Sequence, residues 1–296
     1  MKDVALTALL EAGCHFGHKV DRWHPKAASF IYQAREGIHI IDLAKTRNAL
    51  LKAAEYVKEL GKAGKILLFV GTKRQAKAVV TAAAKRAQTA YLTNRWVGGF
   101  FTNWNEVKKN LDRVNKMRKD KEIGEWTKFP KHEQVALAKL LRKLEMVYEG
   151  VAHLTTLPDA LFIVDIKREY NCLQEALRKE VGTVAIVDTN SDPSNVDYMI
   201  PANDDAVGSI QFIVDYIADA FLEGKNLSAK NEGEKVEKKE EKVEEQVKVE
   251  PADAQAVAGK KEDKKQLKKS IQSKKVKKLE EKKPKKKGRP KKLSTN

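Results

Sequence analysis

Arginine, paired glycines and aromatic rings lie close together in a short segment, residues 94–104, with the sequence NRWVGGFFTNW. Arginine binds phosphate through a planar fork, adjacent glycines let a backbone approach another surface, and aromatic rings stack on unpaired bases. The segment therefore predicts contact with a folded RNA surface, although its aromatic residues could equally fill a core. The candidate RNA contacts in it are Arg95, Trp96, Gly98, Gly99, Phe101, Thr102 and Asn103.

Two more cations follow an apolar run. Residues 66–70 are uninterrupted apolar residues, which is typical of a parallel strand buried on both faces. Thr72 and Gln75 have the spacing of a capping box, which predicts a helix from Lys73 to about Ala87. Lys73 and Arg74 would then lie on its first turn, where free backbone N–H groups attract phosphate.

Histidines, cations and a tryptophan are concentrated in residues 14–26, which we interpret as an extended, contact-making loop. His15, His18 and His24 could bind a metal ion, but the repeated ligand pairs of a structural zinc site are missing, so we expect RNA contact or local hydrogen bonding. The candidate RNA contacts of this region are Lys19, Arg22, Trp23 and Lys26.

A polar run, Asp188 to Asp192, follows a predicted strand at its carboxyl end, where ligands bind in parallel sheets. We favour turn formation and helix capping because no paired acid and base or nucleophile is evident. A bound cation such as magnesium is the minor alternative, and no other cofactor is expected.

The surrounding elements predict an α/β fold, a doubly wound and mainly parallel sheet. Strands are expected near residues 38–43, 66–70, 91, 160–164, 183–187 and 198–200. Helices are expected over residues 4–12, 45–60, 168–180 and 205–222. Residues 105–150 have helical spacing only and predict an antiparallel hairpin inserted into a sheet domain formed by residues 1–104 and 151–224.

Charge separates the ordered part of the chain from its end. The 296 residues carry a net charge of +17, of which residues 225–296 supply +12. We expect a disordered mixed-charge linker over residues 225–259 and a polybasic tail over residues 260–296. The tail includes KKKGRPKK, which resembles an AT-hook and adds Lys285, Lys286, Lys287 and Arg289 as candidate nucleic-acid contacts, RNA being favoured over DNA.

The cysteine pattern and the first residues bear on the compartment. Cys14 and Cys172 have no paired spacing, which fits free thiols in a reducing cytosol. The N-terminal residues do not have the pattern of a signal peptide, and no apolar run is long enough to cross a bilayer. We therefore expect a cytoplasmic protein with no membrane contact.

Six phrases, in this order, resemble the bacterial small-subunit ribosomal protein S2 family: AGCHFGHKVDRWHPK, GIHIIDLAKT, ILLFVGTKRQA, NRWVGGFFTNW, PDALFIVDIKRE and VAIVDTNSDPSNVDYMIPANDDA. The resemblance covers about residues 1–224 and implies a flavodoxin-like sheet with an inserted helical hairpin. It also implies a structural, non-catalytic protein that binds ribosomal RNA between the head and body of the small subunit, with Arg35 as a further RNA contact. The implied partners are ribosomal RNA, neighbouring ribosomal proteins and the large messenger-binding ribosomal protein, which it helps to recruit, with no small-molecule substrate.

Two alternatives remain open. A nucleotide-using enzyme on a Rossmann-like sheet would need a phosphate-binding turn, but the turn after residues 66–70 is GTKRQA and has neither GxGxxG nor GxxxxGK. A nucleoid DNA-binding protein would depend on the tail alone, so deleting residues 225–296 would abolish DNA binding and spare ribosome association.

Overall fold

The computed structural model describes residues 4–248, and side chains over residues 4–228. The chain divides into two units, residues 1–235 and 236–296, and the description below concerns the first. The helices are α1 (Leu6–Glu11), α2 (Leu43–Lys62), α3 (Lys77–Arg86), α4 (Trp104–Glu122), α5 (Lys131–Tyr148), α6 (Tyr170–Arg178) and α7 (Val207–Lys248). The strands are β1 (Phe16–Lys19), β2 (Ile31–Arg35), β3 (Ile38–Ile41), β4 (Leu67–Val70), β5 (Ala90–Leu92), β6 (Ala160–Ile163), β7 (Gly182–Val187) and β8 (Tyr198–Pro201).

The central sheet has five parallel strands in the order β5-β4-β6-β7-β8. Strands are added in both directions from β4, which is the doubly wound, flavodoxin-like order and confirms the predicted fold class. β4 pairs with β6 across the whole inserted hairpin, so that Leu67 lies beside Ala160. Because all five strands run the same way, the residues that follow them meet at one edge, which we call the carboxyl edge.

Both faces of the sheet are buried, as the uninterrupted apolar strands predict. Alternate residues of β4 point in opposite directions: Leu67 and Phe69 pack with α2, α3 and α7. Leu68 and Val70 pack with α6, the hairpin and the aromatic turn. The turn of residues 94–103 is therefore part of the second face of the core.

A separate antiparallel sheet, in the order β1-β3-β2, precedes the central one. The prediction that the strand beginning at Ile38 belongs to the parallel sheet is wrong, and so is the interpretation of residues 14–26 as entirely loop. β1 and β2 were missed because they are short and mostly polar or exposed, with little apolar alternation.

The inserted hairpin is confirmed as two antiparallel helices, α4 and α5. Leu111 on α4 and Leu141 on α5 are buried in their shared seam. Gly124 has a φ of 77°, a left-handed conformation that glycine adopts without strain, and it ends α4.

Two predicted helix boundaries are wrong. α3 begins at Lys77, with Ala76 at its N-cap and no side-chain cap, because the Thr72 hydroxyl donates its hydrogen bond to Glu169 instead. α7 continues to Lys248, past the predicted end at Leu222 and into the predicted linker. The rest of that linker and the tail, with Lys285, Lys286, Lys287 and Arg289, lie outside the described residues.

Candidate nucleic-acid interface

The carboxyl edge of the sheet gathers several of the predicted contact segments. Arg74 follows β4 and Arg95 follows β5, and both side chains are exposed. The two segments touch each other, since Lys77 Nζ donates to Asn94 Oδ1 at 3.2 Å. Arg74 lies shortly before Lys77 and Arg95 directly follows Asn94, so both arginines belong to the two segments that this hydrogen bond joins.

The N-terminal segment that contains residues 14–26 contacts the same edge through Thr189. His18 N donates to Thr189 Oγ1 at 2.8 Å, and His24 N donates to the Thr189 carbonyl at 2.8 Å. This packing requires glycine at position 17, because a Cβ there would lie 2.7 Å from Thr189 Cγ2.

Between these two anchors the segment exposes its charged and aromatic side chains. Lys19 and Arg22 are exposed, and Trp23 is 40% exposed. Lys26 is also exposed but forms an ion pair with Asp192 at 2.8 Å. Arg35 lies on β2, and both it and Lys19 pair with Ile38 of β3 from opposite sides.

The aromatic turn is organised by a buried carboxylate on α6, Glu175, which is 9% exposed. One oxygen of Glu175 accepts from Trp96 Nε1 at 3.0 Å and from Gly99 N at 2.8 Å. The other accepts from Phe101 N at 3.0 Å and, at 3.4 Å and 3.5 Å, from Thr102 N and Oγ1. Hydrogen bonds to a charged group contribute about 1.5–3 kcal/mol each, so this carboxylate is a major determinant of the shape of the turn.

The rings of the turn point inward. Trp96 is 8% exposed and Phe101 is 1% exposed, and both pack in the core with Phe100. These rings cannot stack on bases in this conformation, so the aromatic side chains expected to contact RNA act here as core residues. Arg95, Gly98, Thr102 and Asn103 form the exposed surface of the turn, and Gly99 is half-buried with a φ of 85°.

Lys73 differs from its exposed neighbour Arg74. Its Nζ lies 2.6 Å from Asp205, 2.8 Å from Asp204 and 3.5 Å from Asp165. The Lys73 side chain is 13% exposed. Burial alone would lower the pKa of Lys73, but its hydrogen bonds to Asp204 and Asp205 outweigh burial and raise the pKa. Its charge is neutralised inside the fold, although the sequence suggests a phosphate contact.

These carboxylates occupy the switch point between β4 and β6, where sheets of this order bind ligands. Asp204 is 1% exposed, and burial together with the charges of Asp165 and Asp188 raises its pKa to about 7 despite the bond from Lys73. The protein's own ion pairs thus lie at the edge of the sheet where proteins of this architecture bind ligands.

A group of side chains at the same edge could hold a metal ion. Within residues 4–228, His18, Asp188 and Asp204 bring their ligand atoms within 4.8 Å of one another. A hydrogen bond to Asp188 raises the pKa of His18, which favours the charged imidazolium. An imidazole nitrogen suits a transition metal better than magnesium, which prefers oxygen ligands.

The other two histidines of the predicted trio do not share this position in the described structure. The His15 ring packs against Phe16, and His24 Nδ1 accepts from Lys26 N. For Asp192 the capping interpretation is confirmed, because its side chain accepts from Ser194 N at the start of a short 3-10 turn.

An apolar groove lies between α1 and the small sheet, with a volume of about 690 Å³. Its wall exposes large apolar side chains that the sequence patterns did not single out: Leu6, Leu10, Phe16, Tyr32 and Ile38, which are 37–70% exposed. Contiguous exposed apolar residues of this kind mark protein-binding surfaces. Among residues 4–248, no helix is both long and apolar enough to cross a membrane.

Comparison with known proteins agrees with the six phrases of the sequence. The family model described as "Ribosomal protein S2" matches residues 9–224. The chain is 46% identical over 230 residues to small ribosomal subunit protein uS2 of Dictyoglomus thermophilum, covering 78% of this chain and 94% of that protein. It is 42% identical over 226 residues to uS2 of a Picosynechococcus species, with coverage of 76% and 88%. It is 43% identical over 225 residues to uS2c of Porphyra purpurea, with coverage of 76% and 93%.

Proposed function

This chain belongs to the ribosomal protein S2 family, and on that basis we propose that it is a structural component of the small ribosomal subunit. It binds ribosomal RNA through the carboxyl edge of its sheet, between the head and body of the subunit, and catalyses no reaction. Its site of action is the cytoplasmic ribosome, and neighbouring small-subunit proteins are its other partners.

The convergence of exposed cations on one edge carries the RNA-binding part of the proposal. Arg74 and Arg95 follow adjacent parallel strands, and contacts with Thr189 hold the segment with Lys19 and Arg22 at the same edge. Cations gathered on one surface neutralise phosphates without reading sequence, and backbone at Gly98 can approach closely. Ribosomal RNA is a polyanion of fixed shape and suits such a surface.

Among the residues that the structure describes, no contact at the switch point favours the enzyme alternative. Lys73 is already bonded to three carboxylates there, and the turn from Gly71 to Ala76 is not glycine-rich. The DNA-binding alternative depends on residues 285–289, which lie outside the described part of the chain.

Removing charges from opposite edges of the sheet tests RNA binding. The double variant Arg74→Ala/Arg95→Ala is compared with Lys65→Ala/Lys179→Ala, whose exposed lysines precede β4 and β7 at the other edge. Binding to small-subunit ribosomal RNA is measured over a range of salt concentrations. Each lost phosphate contact should reduce the slope of log K against log salt by about 0.7–0.9.

The wild-type full-length chain and the control pair should bind with the same slope, and the arginine pair should bind more weakly with a reduced slope. Equal losses in both pairs would show that binding follows total charge and would refute a carboxyl-edge interface. Sedimentation of tagged chain with small subunits in a sucrose gradient supplies the cellular counterpart.

The groove beside α1 supports the proposed recruitment of the large messenger-binding ribosomal protein. Phe16 and Tyr32 are 49% and 70% exposed there, and an apolar segment of a partner would bury them. Phe16→Ala/Tyr32→Ala should release that protein from small subunits while the variant chain itself remains bound. Normal retention of the messenger-binding protein would refute a role for the groove.

A further inference from the structure

We propose that Glu175 positions the RNA-contacting turn, a role that rests on the proposed function. The two oxygens of its carboxylate accept five hydrogen bonds from residues 96–102, and the donors lie 73–79 residues away in the sequence. Glu175 does not face the proposed RNA surface, since it is 9% exposed and lies beneath the turn on α6. It acts through the conformation of Arg95 and Gly98.

The chemistry of the site requires a carboxylate. All five partners of Glu175 are donors: an indole N–H, three backbone N–H groups and a hydroxyl. A glutamine has the same shape but replaces one accepting oxygen with an NH₂ group, which would face N–H donors and could not accept from them. An aspartate is one methylene shorter and cannot reach the same set from the same backbone position.

The connection from Glu175 to Arg95 is short. Arg95 lies between Asn94, whose amide donates to the Met146 carbonyl and accepts from Lys77, and Trp96, whose indole donates to Glu175. Both neighbours of Arg95 are therefore held by side-chain hydrogen bonds. Freeing Trp96 removes the hold on one side of the arginine.

Glu175 also determines which donors of the turn face outward. The N–H groups of Gly99, Phe101 and Thr102 are directed at its carboxylate and are not available to a phosphate. Gly98 has open space beyond its Cα, since no atom of the described residues, its two chain neighbours aside, lies within 4 Å of a Cβ placed there. One side of the turn thus binds the Glu175 carboxylate as an internal anion. Arg95, Gly98 and Asn103 lie on the opposite side of the turn.

The test is a double-mutant cycle in the full-length chain, with affinity for small-subunit ribosomal RNA as the readout. Glu175→Gln and Arg95→Ala should each lower affinity by about tenfold. The double variant should bind no more weakly than Glu175→Gln alone. Once Glu175 no longer positions the turn, Arg95 contributes little to RNA binding, so removing it should cost little more. Additive losses would overturn the proposal, as would wild-type affinity in Glu175→Gln.

A control variant separates positioning from general destabilisation. Leu173→Ala also removes a buried contact of α6, since Leu173 is 3% exposed and packs in the same core, but it is not a hydrogen-bond partner of the turn. With the chain still folded, Leu173→Ala should keep both its RNA affinity and the full tenfold effect of Arg95→Ala. If Leu173→Ala abolishes the effect of Arg95→Ala as Glu175→Gln does, the role of Glu175 is only structural and the proposal fails.

Amide hydrogen exchange supplies a readout that does not depend on RNA. The amides of Gly99, Phe101 and Thr102 should exchange faster in Glu175→Gln than in the wild-type chain, while those of β4 stay protected. Unchanged exchange would overturn the proposal directly. Failure of the wild-type chain to bind ribosomal RNA would instead refute the proposed function and the positioning role with it, while faster exchange would still establish the hold of Glu175 on the turn.

Discussion

Replacing Lys73 with methionine tests whether its charge belongs to the fold or to an external partner. The substitution keeps a long side chain and removes an ammonium group that lies 2.6–3.5 Å from Asp165, Asp204 and Asp205. Asp204 is 1% exposed, so its carboxylate loses a cation that water cannot replace. Removing one partner of a buried ion pair costs about 3–5 kcal/mol, a large part of a typical unfolding free energy.

Lys58→Met is the matched control. Lys58 Nζ lies 2.7 Å from Glu223, a distance like those at Lys73, but the two side chains are 23% and 40% exposed. A pair in contact with water contributes at most about 1 kcal/mol. The comparison therefore holds the ion-pair distance nearly constant and varies burial.

Urea denaturation of the full-length chain, followed by tryptophan fluorescence, measures both free energies of unfolding. A chelator in the buffer prevents a divalent cation from replacing the lost ammonium.

The Asp204 pKa is raised in the folded state to about 7, so its contribution to stability is present at low pH and is lost as the pH rises. Without Lys73 the pKa of Asp204 should rise further, and the destabilisation of Lys73→Met should shrink between about pH 8 and about pH 5. If Lys73→Met costs no more than Lys58→Met at any pH, the charge of Lys73 is not committed to the fold, and a phosphate contact by Lys73 becomes the better interpretation.

Three further outcomes are expected. Gly224→Ala should lower the free energy of unfolding by about 1–3 kcal/mol in urea titrations, because a Cβ there would lie 2.1 Å from the Lys58 carbonyl oxygen; a neutral effect would contradict the close contact of α2 and α7. Gly98→Ala places a methyl group more than 4 Å from every described residue other than its two chain neighbours, so it should leave the urea midpoint unchanged while weakening binding to small-subunit RNA; unaltered binding would remove Gly98 from the interface. Burial raises the pKa of Cys14 and Cys172, so mass spectrometry should find neither thiol alkylated by iodoacetamide in the native chain and both alkylated in urea; modification of the native chain would show that the thiols are accessible.

Sequence patterns within single elements predicted much of the fold. The continuous apolar residues of β4, β6 and β7 predict a sheet buried on both faces, and the spacing of Leu111 and Leu141 with their neighbours predicts the hairpin. Both signals arise within a single element, where side-chain periodicity follows directly from backbone geometry. The small antiparallel sheet gave no such signal because its strands have four or five residues and mixed polarity.

The candidate site was predicted less completely because its decisive contacts join distant residues. Glu175 lies 76 residues from Gly99, and Lys73 lies 131 residues from Asp204. Sequence spacing predicted a cationic helix entry and an aromatic corner, but it could not tell that the carboxylates of other loops neutralise Lys73. Nor could it tell that Glu175 accepts hydrogen bonds from the Trp96 indole and from the backbone of the turn. The available sequence signal was Glu175 itself, a charged residue beside the apolar face of α6.

The insertion of the hairpin between β5 and β6 has a consequence for the order of folding. The central pairing of β4 with β6 joins positions such as Leu67 and Ala160. The residues that precede these two strands, Ile66 and Asp159, are 93 residues apart, so the pairing carries a large loop-closure entropy. The contacts between α4 and α5 are local and can form first, which shortens the loop that remains to be closed. Because the hairpin lies between β5 and β6 in the chain, β4 and β5 leave the translating ribosome well before β6 during synthesis. The edge of β4 that pairs with β6 therefore stays unpaired until the hairpin and β6 have been made.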